Sequence, residues 1–207
     1  MSEAQSINEL EEAYRRFMPD EDWGAFRLGV RAVTARMCGG LAMRITGQSG
    51  SGKSTLVDLI AGVVPDEERI QADAMTPKAL FRMPRNHEGV IDLRGMLVVR
   101  DEREAQEKDH KLLRTLLARG EATDLTVHGG KSTELRLRGP ISMLETSVAA
   151  DANIEDDNRC LLIPLADSNA RRMSVIGLIS GSAATDYQQN LAGCRQAMQE
   201  HQRDLPR

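Results

Sequence analysis

Eight consecutive residues, Gly47-Gln48-Ser49-Gly50-Ser51-Gly52-Lys53-Ser54, followed by Thr55, carry the most specific chemistry in the chain. The glycines let successive backbone N–H groups turn to one side of the chain, where they form a concave anion-binding nest. Lys53 adds a flexible ammonium suited to β- and γ-phosphate oxygens, and the Ser54 hydroxyl is a hard oxygen ligand for Mg²⁺. A Gly/Ser linker has no reason to place this lysine and hydroxyl between an apolar run at 41–46 and a helical pattern starting at 53. Residues 47–55 therefore read as a phosphate-binding loop for a nucleoside triphosphate, with ATP and Mg²⁺ as the expected cofactors. A second element lies about fifty residues on, where Met96-Leu97-Val98-Val99 leads through Arg100 to Asp101 and Glu102. A carboxylate at the end of a buried strand holds the Mg²⁺ shell, the role expected of Asp101, and the next can deprotonate an attacking water, the role expected of Glu102. Arg100 stands where an apolar residue is expected, which keeps Glu104 as a rival for the base.

These groups must be positioned by alternating strands and helices. The expected fold is α/β: a doubly wound, mainly parallel sheet with an inserted β-hairpin and helical extensions at both ends. Strands are expected at 41–46, 69–74, 95–102, 141–147 and 160–165. Helices are expected from 53 to about 64, where Pro65 stops the run, from 77 to 83, and from a cap at Asp109 to Arg119 before Gly120. The runs 125–128 and 135–138 alternate apolar and polar residues around Gly129-Gly130-Lys131-Ser132-Thr133, which reads as a hairpin with Lys131 at its tip and Arg136 and Arg138 behind it. Ser168 caps a helix to about 180, and a last helix runs from Thr185 to about 201.

Ahead of the loop, Ser6 and Glu9 form a capping box, and Trp23, Phe26, Val30, Val33 and Met37 share one helical face before Gly39-Gly40. The expected division is a peripheral N-terminal helical extension over 1–40, a nucleotide-binding core over 41–167 and a C-terminal helical segment over 168–207.

Composition narrows the function classes. A chain of 207 residues supports one substantial core. Its net charge of −4 makes any nucleic-acid contact a local one. The six aromatic residues are scattered in sequence and do not suggest a base-stacking platform. Cys38, Cys160 and Cys194 have no paired spacing, so neither a zinc site nor a disulfide framework is indicated. No apolar stretch has membrane-spanning length and no signal-peptide core is present, so no membrane contact and a cytoplasmic location are expected.

The order of parts resembles the AAA+ division of P-loop ATPases, in particular the group with a hairpin inserted before the sensor-1 strand and the helicase-like domains found beside phage and mobile-element primases. The resemblance covers about residues 40–172. It rests on Gly47 to Thr55, on Leu97 to Glu102 with Leu113-Arg114-Thr115-Leu116, on Gly139-Pro140 leading to Glu145-Thr146-Ser147, and on Asn158-Arg159 before 160–165. It implies that Thr146 is sensor 1 and that Arg159 is an arginine finger for a neighbouring subunit's nucleotide. Arg171 or Arg172 would be the sensor-2 cation. It further implies an oligomeric ring whose hairpins, through Lys131, grip single-stranded or duplex DNA, and a primase or another replication partner. The chain lacks zinc-binding cysteines and a primase segment, so it would supply the motor part. Two alternatives stay open: an ATP-binding assembly switch or adaptor with little turnover, and a small-substrate kinase. A transporter-type ATPase is disfavoured because no Leu-Ser-Gly-Gly-Gln signature follows the loop.

Overall fold

The computed structural model describes residues 7–71, 77–100, 107–128, 131–148, 160–165, 168–180 and 184–204. Five strands form one parallel sheet: β1 Ala42–Thr46, β2 Arg69–Gln71, β4 Leu97–Arg100, β7 Ser142–Ser147 and β8 Cys160–Pro164. Their spatial order is β2-β4-β7-β1-β8. Leu97, Val98 and Val99 are buried, as are all six residues of β7, the near-continuous burial expected of strands covered on both faces. Three further strands, β3 Val90–Asp92, β5 Glu121–His128 and β6 Lys131–Arg138, form a second sheet in the order β3-β6-β5. The expected α/β architecture with a parallel sheet and inserted hairpin is the architecture observed.

One face of the main sheet is covered by α2 Trp23–Thr34, α3 Lys53–Ala61 and the C-terminal α6 Ala184–Arg203. Phe26, Val30, Leu56, Ile60, Leu191 and Met198 meet Met43, Ile45, Val99 and Leu144 there. Gly29 permits the close α2–α3 crossing, since a Cβ at that position would lie 2.4 Å from the Ile60 Cδ1. The other face carries α4 Glu107–Arg119, a 3-10 segment at Pro77–Arg82 and the second sheet, joined through Leu80, Phe81, Leu116, Leu137 and Met143. The short α1 Ile7–Tyr14 packs on α6, and α5 Asn169–Ser180 precedes it.

Several expectations need correction. Helices α1 and α2 are not peripheral, because Tyr14, Phe17, Phe26 and Val33 belong to the same core as α3. Five of the six aromatic residues, scattered in sequence, converge on the α3 side of the sheet: Tyr14 stacks on Phe26 at 5.0 Å, Trp23 stacks on Phe26 and Phe17 meets Tyr187 edge-on at 5.1 Å. Phe81 lies in the core of the opposite face. Strand β3 was not expected, and its three residues pair with β6 outside the main sheet. Asp109 lies inside α4, which begins at Glu107. The hairpin strands are eight residues each, with His128 registered against Lys131. Lys131 is therefore the first residue of β6 and not part of a five-residue tip. Pairing runs unbroken from Glu121 with Arg138 to His128 with Lys131.

Candidate functional site

The glycine-rich segment lies where a ligand site is expected in a parallel α/β sheet, beyond the carboxyl end of β1. The Gly47 amide donates to the Ser147 carbonyl at 3.3 Å, which fixes the loop entrance to the neighbouring β7. Gly50 and Gly52 then take positive φ values of 73° and 78°, a backbone region open to glycine at little steric cost. Gly52 is the N-cap of α3, so loop and helix dipole are continuous. Gln48, Ser49 and Gly50 are exposed at the mouth, as is Ser54 in the first turn of α3. Thr55 follows on α3 and is half-buried.

Lys53 is 5% exposed and folds over the loop, donating from Nζ to the Gly47 carbonyl at 2.9 Å and to the Gln48 carbonyl at 2.8 Å. Its flexible stem lets the ammonium satisfy these carbonyls while remaining at the loop mouth. The Ser51 hydroxyl is buried against Gly47 and has no hydrogen-bond partner.

Parallel pairing brings the other site residues toward this loop. Ile45 is registered with Thr146 and Thr46 with Ser147, so Thr146 stands one strand away from the loop entrance. Thr146 is 1% exposed and, by strand alternation, shares the α3-side face of the sheet with Ile45 and Leu144. On the far side of β7, β4 ends at Arg100, registered with Glu145. Asp101, Glu102 and the rival Glu104 follow directly in the chain but lie outside the described residues, as does Arg159 immediately before β8. Lys131 is placed only by its backbone, at the turn end of β6 and on the second sheet.

Two charged constellations were not anticipated. Arg44 Nε donates to Glu145 Oε1 at 2.7 Å, while Arg100 Nη1 lies 3.9 Å from Glu145 Oε2. This buried Arg44–Glu145–Arg100 row crosses β1, β7 and β4 at one register level and accounts for the cation at the end of β4. Its signal in the sequence was a lone charge at the matching place in three apolar runs. The second constellation joins Arg171 to Asp22: Nε donates to Oδ1 at 2.7 Å and Nη2 to Oδ2 at 2.6 Å. Arg171 Nη1 also donates to the Ser51 carbonyl. Arg171 thus stands against the loop backbone with Asp22, while Arg172 is exposed. Nothing in local sequence linked positions 22 and 171.

Beside this contact, a cavity of about 10 Å³ is bordered by Phe17, Met18, Gly52, Thr55, Leu56 and Tyr187. Burial raises the Tyr187 hydroxyl above the usual phenol range, and the Arg195 charge partly opposes the shift. The hydroxyl donates to the Phe17 carbonyl at 3.3 Å.

A family model described as MTBMA_p00010 P-loop domain matches residues 26–194. The chain belongs to this P-loop domain family. The matched span contains the loop, all five strands of the parallel sheet and the hairpin. No curated protein matches the chain. Nucleotide phosphate binding is thus the general function of this P-loop domain, and the loop geometry supplies the means. Among the described residues no helix is long and apolar enough to cross a membrane.

Proposed function

We propose that this P-loop domain is a Mg²⁺-dependent ATPase of the AAA+ type, acting as a helicase-like motor that couples hydrolysis to translocation on nucleic acid or its remodelling. The supporting observation is the loop itself, with Lys53 at its mouth, Thr146 one strand away and β4 ending beyond β7. Exposed Ser54 offers a hydroxyl in the first turn of α3, and the chain continues from Arg100 into Asp101. A hydroxyl and one carboxylate suit Mg²⁺, which commonly completes its shell with water and substrate phosphates. When bound, that ion would neutralise charge developing on the transferred phosphoryl group.

Lys53 and the loop amides bind the β- and γ-phosphates, and Glu102 takes a proton from the attacking water. Thr146 orients the water or γ-phosphate, and Arg159 reaches the nucleotide of a neighbouring subunit in an oligomeric ring. The hairpin is the element proposed to meet single-stranded or duplex DNA. Its strands extend well beyond β3, and Leu125 is 72% exposed. A primase or other replication partner would act alongside this motor.

A specific observation favours a second reading, an ATP-dependent assembly switch with slow turnover. The hairpin arginines expected to form a basic device are paired, Arg136 with Glu134 at 2.9 Å and Arg138 with Glu88 at 3.3 Å. Those carboxylates compete with phosphate for the same guanidinium groups, which leaves Lys131 as the proposed nucleic-acid cation. ATP turnover measured with and without single-stranded DNA separates the readings. A motor is stimulated by DNA, and Lys131→Ala reduces that stimulation while sparing basal turnover. Slow turnover indifferent to DNA, with a nucleotide-dependent change of mass, would establish the switch.

A further inference from the structure

The phosphate loop is tied from behind to both ends of the chain through one guanidinium. Arg171 lies in the first turn of α5, 1% exposed, and its backbone amide donates to the Ser168 hydroxyl at 3.1 Å. Asp22 is 4% exposed and ends the 3-10 turn that leads into α2. The guanidinium engages both Asp22 oxygens along one edge and the Ser51 carbonyl through Nη1. Its Nη2 lies 3.3 Å from the position that a Cβ on Gly52 would occupy.

We propose that Arg171, oriented by Asp22, is a positioning residue for the phosphate loop: it fixes the peptide between Ser51 and Gly52 and so aims the Gly52 amide at the nucleotide phosphates. The inference rests on the nucleotide-binding reading. A trans peptide is planar, with its C=O and N–H directed oppositely. Holding the Ser51 carbonyl against Arg171 turns the Gly52 N–H away from Arg171, toward the side on which phosphate-binding amides converge. Positive-φ glycines at 50 and 52 give the loop conformational freedom that a buried, charge-assisted hydrogen bond removes.

The donors explain why the residue is arginine. A planar fork can hold a carboxylate with one edge and reach a carbonyl with another, whereas lysine has a single ammonium centre. A direct γ-phosphate contact would require the guanidinium to leave Asp22 and Ser51. The geometry therefore assigns Arg171 to any nucleotide that uses the loop, diphosphate or triphosphate.

Calorimetric titration with ADP and with a non-hydrolysable ATP analogue, both with Mg²⁺, tests the assignment on the full chain. Arg171→Lys and Asp22→Asn are expected to weaken both ligands by the same factor, about ten-fold, the scale of one charge-assisted hydrogen bond. The double variant Asp22→Leu/Arg171→Met replaces the buried pair by apolar side chains, so it retains the thermal midpoint yet loses affinity for both ligands. If Asp22→Asn fails to fold, Arg171→Lys and the double variant still decide the matter. Selective loss of the triphosphate analogue in Arg171→Lys, with Asp22→Asn binding both ligands normally, would overturn the proposal in favour of a γ-phosphate ligand. Normal affinity in the double variant would reduce the pair to a structural contact. Lys53→Ala is the control: full affinity for both ligands there would overturn the nucleotide reading itself, whatever the Arg171 variants do.

Discussion

Lys53 ties down two loop carbonyls, yet its replacement should cost the fold little. A net protein hydrogen bond contributes about 1 kcal/mol, and carbonyls at the loop mouth can exchange the ammonium for water. Lys53→Ala should shift stability by no more than about 2 kcal/mol while abolishing ATP binding or turnover; thermal melting and nucleotide titration check both halves. Retained ATPase activity would remove the loop from the mechanism. Tyr14 acts on pH-dependent stability and has no part in the loop. Burial holds its hydroxyl well above the usual phenol range, with Arg195 opposing, and its oxygen lacks a hydrogen-bond partner. A raised folded pKa means that the contribution is full below the unfolded phenol value of about 10 and is lost as pH rises above it. Tyr14→Phe should therefore flatten the alkaline loss of stability. At neutral pH it should stabilise the chain by about 1 kcal/mol by removing an unsatisfied hydroxyl. Denaturation midpoints from about pH 8 to 11 test this, and an unchanged alkaline slope would show that another group titrates.

At the scale of elements, the charged row crosses β1, β7 and β4 at one register level, one residue before Thr146 on β7 and at the end of β4. Glu145→Gln removes the carboxylate that Arg44 and Arg100 share in the buried row, and breaking a buried pair costs about 3–5 kcal/mol. The denaturation midpoint of Glu145→Gln should therefore fall far more than that of Lys53→Ala; equal, small shifts would show that water or a rearranged partner compensates. The strands carrying this row were readable because long apolar runs and bounding glycines and prolines are local signals. The loop was readable for a stronger reason, since its phosphate chemistry is encoded in adjacent residues. Pairing partners were less legible: Glu145 lies 101 residues from Arg44, and Asp22 lies 149 from Arg171. Three residues of β3 are too few to display a period, and the Gly129–Thr133 composition concealed a hairpin register that cross-strand pairing decides.

At the scale of the whole molecule, α1, α2 and α6 close one core behind α3, and the hairpin sheet closes another on the opposite face. Nucleotide-dependent movement of the loop would therefore meet packed elements on both sides of the sheet. The proposed ring adds a requirement that no single chain can satisfy: Arg159 must act on the nucleotide of another copy. Mixing two inactive variants makes that requirement measurable. Lys53→Ala removes the loop cation but keeps Arg159, whereas Arg159→Ala keeps the loop and loses the finger. In a head-to-tail assembly formed at random from equal amounts, roughly a quarter of the interfaces pair an intact loop with an intact finger. Turnover should recover to about that fraction of wild type on mixing, and only where subunits exchange. Recovery that grows with total concentration and vanishes when exchange is blocked would support catalysis across the interface. If the mixture stays inactive despite demonstrated subunit exchange, Arg159 works within its own chain or not at all, and the ring loses its catalytic argument.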